Sequence, residues 1–478
     1  MNALMNQPLD QLNADIQRVF ALQQSKAVQW RGSTAEERIA RIERLRDAVL
    51  ARREEIINAS TADMRRPAFE TELIEVNGII GEAEHTIRHL KQWMKTRKVR
   101  TPLFFFGTTS QVRLEPKGVC LILGPWNVPH ISALGPLISA LAAGNTCFVR
   151  PSEMAPASAR VIVQLIRDVF PEDEVAAYDG GPEVAQLLTA LPFNHIFFTG
   201  SPTVGKLVMK AAADHLCSVT LELGGKSPVV IDATANMTKT VRSIAYTKLL
   251  NCGQACTAPD YILVHESIEQ EFLAELKALI KTRIGDSAQA QQQSPDLGRV
   301  ITDKHWQRIT GLVTDAIAKG GQIVFGGESD AAQRYIQPTV LRAVPQSANI
   351  FHEEIFGPVV PVMTYRTLDE AITYINARPK PLAAYIYSED NQAIERFIAE
   401  TSSGDVGVNV AMLHYGNNNL PFGGANNSGL GKAHGEWGFK AFSHERAIMR
   451  DHFASTHMLA PPYTDKSWRL ARLMRRFS

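Results

Sequence analysis

The feature that most limits how this chain can fold is a long stretch without charged side chains. Residues 118–149 contain no Asp, Glu, Lys or Arg. That length would suffice for a membrane span, but Pro125, Pro129 and Pro136 interrupt it, and proline ends or kinks a helix. We therefore predict a strand, a loop, a helix and a second strand, all buried inside a protein core.

The same alternation of short apolar runs and helical patterns continues along the chain. The predicted strands cover residues 119–123, 146–149, 195–198, 219–221, 261–264, 322–325 and 383–386. The predicted helices between them cover residues 134–143, 155–170, 203–213, 268–284 and 368–376. This order predicts an α/β protein with doubly wound parallel sheets, in which ligands bind at the carboxyl ends of the strands. With 478 residues, the chain is long enough for about two to three domains.

Composition narrows the class of protein. The 50 basic and 49 acidic residues give a formal net charge of +1, so bulk electrostatics do not favour a nucleic-acid partner. The five cysteines are odd in number and lack zinc-like spacing, which indicates a reduced chain without a metal site. The N-terminus has no basic start followed by an apolar run, so we expect a cytoplasmic protein rather than a secreted one.

Two helices are predicted before the uncharged stretch. Thr34 and Glu37 form a capping-box pattern in front of an amphipathic run. A second helix is predicted from about Phe69 to Met94. Its apolar side chains are expected to face the core, and they are Leu73, Val76, Ile80, Ile87 and Leu90.

Two apolar segments favour burial against another surface. Residues 101–115 predict a β-hairpin that carries Phe104–Phe106, and such a patch is usually buried in a subunit interface, although packing on its own domain is the alternative. Residues 468–477 place Leu470, Leu473, Met474 and Phe477 at helical spacing among arginines 469, 472, 475 and 476. This basic amphipathic tail could lie on an anionic membrane, but we favour docking on its own dimer.

Residues 251–259, with the sequence NCGQACTAP, place a thiol in a tight turn. Gly253 permits the turn, and Pro259 prevents a helix from continuing. Backbone N–H groups around Cys256 would favour a thiolate and nucleophilic chemistry. Most free cysteines are instead small core residues, so the assignment depends on the other loops of the chain.

Four more loops at predicted strand ends carry candidate functional groups. Asn127, between two prolines, could donate to an oxyanion or be an ordinary turn residue. Residues 199–205 (TGSPTVG) suit a pyrophosphate or a plain strand-to-helix turn. Glu222 could be a general base or could pair with Lys226. Residues 353–358 (EEIFGP) place an acidic pair beside an aromatic residue, which is more often a solvated charge pair.

Taken together, these loops resemble the motifs of the aldehyde dehydrogenases, in family order. The motifs are residues 125–129 (PWNVP), 198–201 (FTGS), 222–226 (ELGGK), 253–256 (GQAC), 354–358 (EIFGP), 421–424 (PFGG) and 428–431 (SGLG). Residues 251–261 and the PPY at 461–463 are most similar to the class 3 branch of fatty, aromatic and coniferyl-type enzymes. The resemblance implies a Rossmann-type cofactor domain, a second α/β catalytic domain and a β-hairpin oligomerisation arm, with a dimer as the assembly.

The resemblance also implies a role for individual residues. Cys256 would attack the aldehyde, Asn127 and the Cys256 N–H would hold the oxyanion, and Glu222 would activate the water that hydrolyses the thioester. The residues implied to contact the cofactor are Trp126, Arg150, Glu153, Gly200, Ser201, Gly205, Leu223, Glu354 and Phe356. Arg150 stands where the family usually has Lys and could attract a 2′-phosphate, whereas Glu153 would repel one. We therefore expect NAD, with NADP possible.

The implied domains are residues 1–100 with 116–223 for the cofactor and 224–424 for catalysis. The implied arm comprises 101–115 and 440–455, and the tail comprises 456–478.

Three other readings remain: an enzyme that passes the thioester to coenzyme A, an inactive binding relative, and a cysteine hydrolase. Val128 and His130, close to Asn127, both depart from the residues that the family often has there. The smaller Val128 is expected to widen the substrate tunnel. His130 could contact the substrate, but we favour a buried supporting role for it.

Overall fold

The structure is a computed structural model that describes residues 8–102, 105–453 and 460–475. Its helices are α1 (Leu9–Trp30), α2 (Ala35–Ala51), α3 (Arg53–Met64), α4 (Ala68–Thr71), α5 (Asn77–Trp93), α6 (Pro129–Ala143), α7 (Pro156–Val169), α8 (Pro182–Thr189), α9 (Pro202–Ala213), α10 (Met237–Leu249), α11 (Glu269–Ile284), α12 (Ala288–Gln293), α13 (Asp303–Ala318), α14 (Leu368–Asn376), α15 (Asn391–Glu400), α16 (Gly435–Ala441) and α17 (Asp465–Met474). Of the predicted hairpin and tail, Leu103, Phe104, Arg476 and Phe477 lie outside the described residues.

The strands form two large sheets and two small ones. They are β1 (Arg97–Val99), β2 (Thr108–Pro116), β3 (Val119–Leu123), β4 (Thr146–Arg150), β5 (Val175–Ala177), β6 (His195–Gly200), β7 (Ser218–Leu223), β8 (Pro228–Ile231), β9 (Tyr261–His265), β10 (Gln322–Phe325), β11 (Ser329–Asp330), β12 (Tyr335–Ile336), β13 (Thr339–Arg342), β14 (Val359–Tyr365), β15 (Ala383–Tyr387), β16 (Asp405–Val408), β17 (Gly429–Leu430) and β18 (Ser443–Asp451). The predicted α/β fold with parallel sheets is confirmed.

The first large sheet has the strand order β17-β7-β6-β3-β4-β5. Its strands are parallel except β17, which is antiparallel to β7. The uncharged stretch supplies β3, α6 and β4, and both strands are buried along their whole length. Alternate residues of β3 enter different apolar clusters, with Cys120 and Ile122 on one face and Val119 and Leu121 on the other. Helices cover both faces, which explains why β3, and β4 up to its last residue Arg150, carry no charged side chain.

The second large sheet has the order β10-β13-β14-β9-β8-β15-β16. All of its neighbours are parallel except β10, which is antiparallel to β13. Successive residues of β9 again enter two clusters, because Ile262 belongs to one and Leu263 to the other. Within the described residues, no helix combines the length and apolar character that crossing a bilayer requires.

A separate antiparallel sheet joins two distant parts of the chain. Strand β2 lies between the short β1 and the long β18, with Ser443 opposite Pro116 and Asp451 opposite Thr108. The predicted strand after Gly107 is therefore present, and its long partner comes from near the end of the chain. Phe106 lies at the turn that leads into β2 and is 78% exposed.

The predicted helix from Phe69 to Met94 contains an irregularity that changes its inner face. Residues Glu72–Val76 form a π-helical turn between α4 and α5. A π turn accommodates one extra residue and shifts every following side chain around the helix axis. As a result Leu73, expected to face the core, is 43% exposed, whereas Glu75 is fully buried. The inward assignment of Leu73 was wrong, because a regular 3.6-residue period does not hold across this turn.

Candidate active site

The turn that presents Cys256 is built from residues in an unfavourable backbone conformation. After α10 ends at Leu249, Asn251, Cys252 and Gly253 have φ angles of 47°, 56° and 71°. This left-handed region is costly for residues with a side chain. At Gly253, an added Cβ would also lie 2.3 Å from the carbonyl oxygen of Gly357. The position therefore requires glycine, as the sequence predicted.

Gln254 fixes the strained turn from inside the protein. Its side chain is fully buried, and Nε2 donates to the carbonyl oxygens of Asn251 at 3.0 Å and Arg299 at 2.9 Å. Its Oε1 accepts from the Ile301 N–H at 3.0 Å. Its own carbonyl oxygen accepts from Asn127 Nδ2 at 3.1 Å. Gln254 thus connects the turn to the loop after β3 and sets the distance between Cys256 and Asn127.

Arg66 connects the same two loops from the opposite side. It is among the largest fully buried side chains of the protein. Its guanidinium donates to Asn251 Oδ1 at 2.9 Å, to the Asn127 carbonyl oxygen and to Glu75 Oε1. Because the guanidinium is planar and rigid, three acceptors fix its orientation. One buried cation therefore positions both Asn127 and the turn that leads to Cys256.

Glu75 completes this buried network at the start of α6. Its Oε2 accepts from the backbone N–H of His130 at 2.7 Å and of Ile131 at 3.2 Å, and lies 3.3 Å from His130 Nδ1. Burial opposes ionisation, but His130 and Arg66 outweigh it and hold the pKa of Glu75 below its usual value. His130 is itself fully buried and is not part of the cavity wall, so it supports the network and does not touch substrate.

A cavity of about 1120 Å³ opens at the carboxyl ends of the first sheet and extends past Cys256. The predicted site residues that line it are Trp126, Asn127, Arg150, Glu153, Gly200, Ser201, Glu222, Leu223, Cys256, Glu354 and Phe356. Gly205 is the exception among the predicted residues. A Cβ there would lie 2.7 Å from Leu223 Cδ2, so this glycine permits α9 to pack closely against β7.

Cys256 lies in an environment that disfavours the thiolate. Burial, followed by the negative charges of Glu354 and Glu222, raises the pKa of Cys256 to about 12. The backbone N–H groups of Cys256 and Thr257 act in the opposite direction but are weaker. In the protein alone, the thiol is therefore protonated at neutral pH.

Glu222 is a buried carboxyl group with unused hydrogen-bonding capacity. It lies near the end of β7, and neither carboxyl oxygen has a hydrogen-bond partner among the described residues. Burial raises its pKa well above the usual value, although Lys432 opposes the shift. Lys226 instead pairs with Asp260 and donates to the Ile350 carbonyl oxygen at 2.8 Å. The alternative in which Lys226 neutralises Glu222 is therefore wrong.

Glu354 and two aromatic rings form the wall beside Cys256. Burial raises the pKa of Glu354 to about 8, although a hydrogen bond from the Gly225 backbone lowers it. A Cβ at Gly224 would lie 2.2 Å from Glu354 Oε2, so only glycine fits at this position without moving Glu354. Phe356, with a φ of 49°, packs edge-on against Trp126 at a centroid distance of 5.3 Å. The loop of residues 354–358 therefore shapes the site rather than being a solvated charge pair.

On another part of the cavity wall, the guanidinium of Arg150 is already hydrogen-bonded to neighbouring groups. Its Nη2 donates to Glu153 Oε2 at 2.7 Å and to the carbonyl oxygens of Gly180 and Gly181 at 2.6 and 3.0 Å. The exposed Glu153 therefore lines the cavity with its carboxylate already paired to Arg150. This arrangement presents an acceptor to incoming hydroxyl groups.

The structure offers a suitable cradle for a dinucleotide. Ser201 caps α9 by accepting from the Val204 N–H at 3.3 Å, and the helix N-terminus faces the cavity beside Gly200. Bare backbone and a helix N-terminus suit a pyrophosphate, and Glu354 and Glu153 lie at separate parts of the same wall. The residues present thus fit a nicotinamide dinucleotide that extends from Glu153 toward Cys256.

The comparisons with known proteins agree with this geometry. The chain matches the model of the aldehyde dehydrogenase family over residues 6–448 and therefore belongs to that family. It is an NAD(P)-dependent aldehyde dehydrogenase. Among its relatives is the 4,4′-diaponeurosporen-aldehyde dehydrogenase of Staphylococcus aureus, with 41% identity over 96% of this chain and 97% of that protein. Another is a protein of Caulobacter vibrioides named "Probable coniferyl aldehyde dehydrogenase", with 38% identity over 97% of each.

Solved structures show the same fold. The substrate-bound structure of AldH from Staphylococcus aureus has a TM-score of 0.91 and 39% identity, covering 96% of this chain and 99% of that one. PnpE from a Pseudomonas species, in complex with nicotinamide adenine dinucleotide, has a TM-score of 0.84 and 26% identity, covering 92% and 91%. The predicted resemblance to the aldehyde dehydrogenases, and to their class 3 branch, is confirmed.

Sequence reasoning missed the residues that hold the site from behind. Arg66 lies in the segment after α3, to which the sequence assigned no role, and Glu75 lies on the π turn. Gln254 was noticed only as part of a motif. An arginine pair before a proline and a glutamate inside a helical pattern are usually surface residues, so the sequence carries no local signal for Arg66 or Glu75.

We predict that Arg66→Lys lowers kcat by at least about tenfold, because an ammonium cannot replace three simultaneous guanidinium contacts and charge-assisted hydrogen bonds are each worth about 1.5–3 kcal/mol. Steady-state kinetics measure the effect. Arg88→Lys, at an exposed position on α5, is the matched control and should retain full activity. A kcat for Arg66→Lys within about twofold of the wild type would contradict the positioning role of Arg66.

We also predict that alkylation of Cys256 in the protein without cofactor accelerates about tenfold for each pH unit from neutral pH upward. The reason is that the thiolate reacts and its fraction rises tenfold per unit below the pKa. Mass spectrometry of the peptide that contains Cys256, after timed exposure to iodoacetamide, measures the rate. A rate that levels off at about pH 9–10 would show that the thiol ionises with an ordinary pKa of about 8.5. Burial and the charges of Glu354 and Glu222 would then not raise its pKa.

Proposed function

We propose that this enzyme oxidises a long-chain aliphatic or aromatic aldehyde to the carboxylic acid through a thioester on Cys256, and that water releases the product. The observation that carries the proposal is the composition of one cavity wall. It contains a thiol, a side-chain amide and a buried carboxyl group without hydrogen-bond partners among the described residues, namely Cys256, Asn127 and Glu222.

The thiol of Cys256 gives up its proton to solvent by way of a carboxylate of the cavity wall, Glu222 or Glu354, and the thiolate then attacks the aldehyde carbon. The developing oxyanion is held by two donors. One is the backbone N–H of Cys256, and the other is Asn127 Nδ2. The Asn127 amide already donates one hydrogen to the Gln254 carbonyl oxygen. Because an amide nitrogen carries two hydrogens, the second is available for the oxyanion. The fixed position of Asn127 makes this donor effective, since preorganised donors need no rearrangement in the transition state.

When bound, the oxidised nicotinamide supplies the hydride acceptor that converts the adduct on Cys256 into a thioester. Glu222 then takes a proton from water, the resulting hydroxide adds to the thioester carbon, and the thiolate of Cys256 leaves. Burial raises the pKa of Glu222, which makes its carboxylate a stronger base toward water. Its two unpartnered oxygens leave room for a water molecule to donate.

This assignment favours hydrolysis over the other readings. An enzyme that passes its thioester to coenzyme A does not need a base such as Glu222. A cysteine hydrolase pairs its thiol with an imidazole, whereas the charges that most affect Cys256 belong to the carboxyl groups of Glu354 and Glu222. An inactive binding protein would not require the strained turn at Asn251, Cys252 and Gly253.

We propose NAD as the preferred cofactor. Arg150 already donates to Glu153 and to the carbonyl oxygens of Gly180 and Gly181, and Glu153 repels a 2′-phosphate. NADP is the second cofactor. The walls near Val128, Ile131, Tyr415 and Phe422 support an apolar or aromatic substrate, as do relatives named for diaponeurosporen-aldehyde and coniferyl aldehyde.

We predict that the wild type reduces NAD continuously with aldehydes in the absence of coenzyme A, and reduces NADP more slowly. Glu222→Gln should give a burst of NADH stoichiometric with active sites, followed by a rate at least about a hundredfold slower, because the thioester forms but is not hydrolysed. Stopped-flow absorbance measures both phases. Glu389→Gln, an exposed surface change, is the control. Steady turnover of Glu222→Gln near the wild-type rate would refute the base role.

We also propose the domain division and the assembly. The parallel strands of the first large sheet lie within residues 119–223, and the second large sheet lies within 228–408, which supports a cofactor domain of 1–100 with 116–223 and a catalytic domain of 224–424. The separate sheet of β1, β2 and β18 supports an oligomerisation arm of 101–115 and 440–455. We propose a cytoplasmic location, supported by the five free cysteines.

We propose a homodimer whose interface includes the arm, and a tail that docks on the dimer rather than on a membrane. Phe106, Met449 and Phe453 are 78%, 52% and 76% exposed, and Trp468 on α17 is 61% exposed. Apolar surface of this kind is usually covered by a partner. Light scattering should give the mass of two chains for the wild type and a lower average mass for Met449→Asp. A monomeric wild type would contradict the proposal.

A further inference from the structure

One end of the cavity beyond Cys256 combines apolar side chains with a few polar ones. Along α6, residues at helical spacing face into it, and they are Val128, Ile131, Ser132, Gly135 and Ser139. The opposite wall comes from the segment before α16, where Tyr415, Phe422 and His434 line the cavity. Burial and the charges of Cys256, Glu75 and Glu82 all raise the pKa of Tyr415. Its phenol ring is thus within the electrostatic range of both the nucleophile and Glu82.

Glu82, on α5, is a buried acid at this end. It is 3% exposed and lines the cavity. Its Oε1 accepts from the Gly435 N–H at 2.9 Å. Its Oε2 has no hydrogen-bond partner among the described residues, and lies 3.6 Å from His434 Nδ1. A buried carboxyl oxygen without a partner costs free energy, so this atom is suited to accept a hydrogen bond from a ligand.

His434 is held beside Glu82 by its backbone and by two aromatic rings. Its φ of 68° and ψ of 140° are strained for a residue with a side chain. The imidazole packs edge-on against Tyr415 at 4.8 Å and against Phe422 at 5.4 Å. The ring therefore cannot turn away freely, and its Nδ1 remains close to the unused oxygen of Glu82.

We propose that Glu82 and His434 form a subsite that binds a hydroxyl group at the far end of the aldehyde substrate. The inference rests on the proposed aldehyde oxidation and specifies its substrate class. A hydroxyl needs one acceptor and can use one donor, which Glu82 Oε2 and the imidazole can supply. An ammonium group has three hydrogens to satisfy, whereas Glu82 offers one free oxygen. A second carboxylate would be repelled by Glu82.

The apolar walls between Cys256 and Glu82 complete this specificity. They contact the hydrocarbon part of the substrate, and the carboxyl group of Glu82 accepts a hydrogen bond from a hydroxyl group at its end. A site built to hydrogen-bond a substrate hydroxyl discriminates strongly against an analogue that leaves the site unpaired, whereas apolar walls alone discriminate weakly. The subsite therefore favours hydroxylated aldehydes over hydrocarbon aldehydes of the same length.

The test compares ω-hydroxy aldehydes with ω-methoxy aldehydes of matched and increasing chain length, because the methyl ether keeps the oxygen but cannot donate. Calorimetry measures affinities on the Cys256→Ala variant, which cannot form the thioester, and wild-type kcat/KM is measured in parallel. At the chain length that reaches Glu82, the hydroxyl should be preferred by about 10-fold or more, the value of one hydrogen bond to a charged group. No preference at any length overturns the inference.

Glu82→Gln tests whether Glu82 causes the preference. The amide oxygen can still accept from the Gly435 N–H, but Nε2 donates where Oε2 accepted, so the hydroxyl-to-methoxy ratio should fall by about 10-fold. His434→Phe, which keeps the ring packing but has no ring nitrogen, should weaken both substrates and leave the ratio unchanged, because the imidazole donates to an oxygen that both carry. Glu84→Gln, at a more exposed position of α5, is the matched control and should leave the ratio unchanged.

The outcomes separate the subsite from the reaction. An unchanged ratio in Glu82→Gln overturns the subsite, as does an equal loss of activity on both substrate types in that variant, which would indicate a structural role in holding Gly435. A hydroxyl preference in binding, without wild-type turnover of any aldehyde, supports the subsite and refutes the proposed oxidation. Turnover without a hydroxyl preference refutes the subsite alone.

Discussion

The site depends on a backbone turn that would not persist alone. Asn251, Cys252 and Gly253 occupy left-handed conformations in succession, and such conformations survive only where the surroundings over-determine them. Gln254 supplies this constraint through neutral hydrogen bonds, and Arg66 through charged ones. The two residues also contact Asn127, so the nucleophile and the amide donor share one support. A disturbance of either anchor therefore changes the geometry between the two loops as well as within each.

Three buried carboxyl groups near this turn have shifted pKa values. Glu75 is stabilised as an ion by Arg66 and His130, whereas Glu222 and Glu354 are destabilised by burial. The supporting acid and the cavity acids thus have pKa values shifted in opposite directions, although all three are carboxyl groups of one small region. Divergent pKa values of this kind separate structural from reactive roles. The reactive groups lie at the cavity wall, and the structural acid lies behind it.

The sequence predicted the residues that line the cavity because the sequence signals for them are local. Asn127 and Glu222 each follow or end an apolar run and are flanked by proline or glycine, so their place at strand ends could be inferred without tertiary contacts. Gly253 and Pro259 likewise indicated the turn that carries Cys256. The support could not be inferred, because Arg66 is 185 residues from Asn251 and Glu75 is 55 residues from His130. The π turn also displaced Leu73 and brought Glu75 inward. Periodicity describes one regular helix, and it carries no information on an inserted residue or on distant partners.

The short strand β17 has a consequence for how the protein is made. It pairs with β7 so that Gly429 lies opposite Glu222, and the Leu223 N–H donates to the Ser428 carbonyl oxygen at 3.0 Å. The edge of the first sheet is therefore closed by residues that leave the ribosome only after the whole second sheet. Until then, the strand that carries Glu222 is an open edge during translation, exposed to pairing with other chains. Chains truncated before residue 428 lack β17, and the edge of the sheet beside Glu222 then stays unpaired.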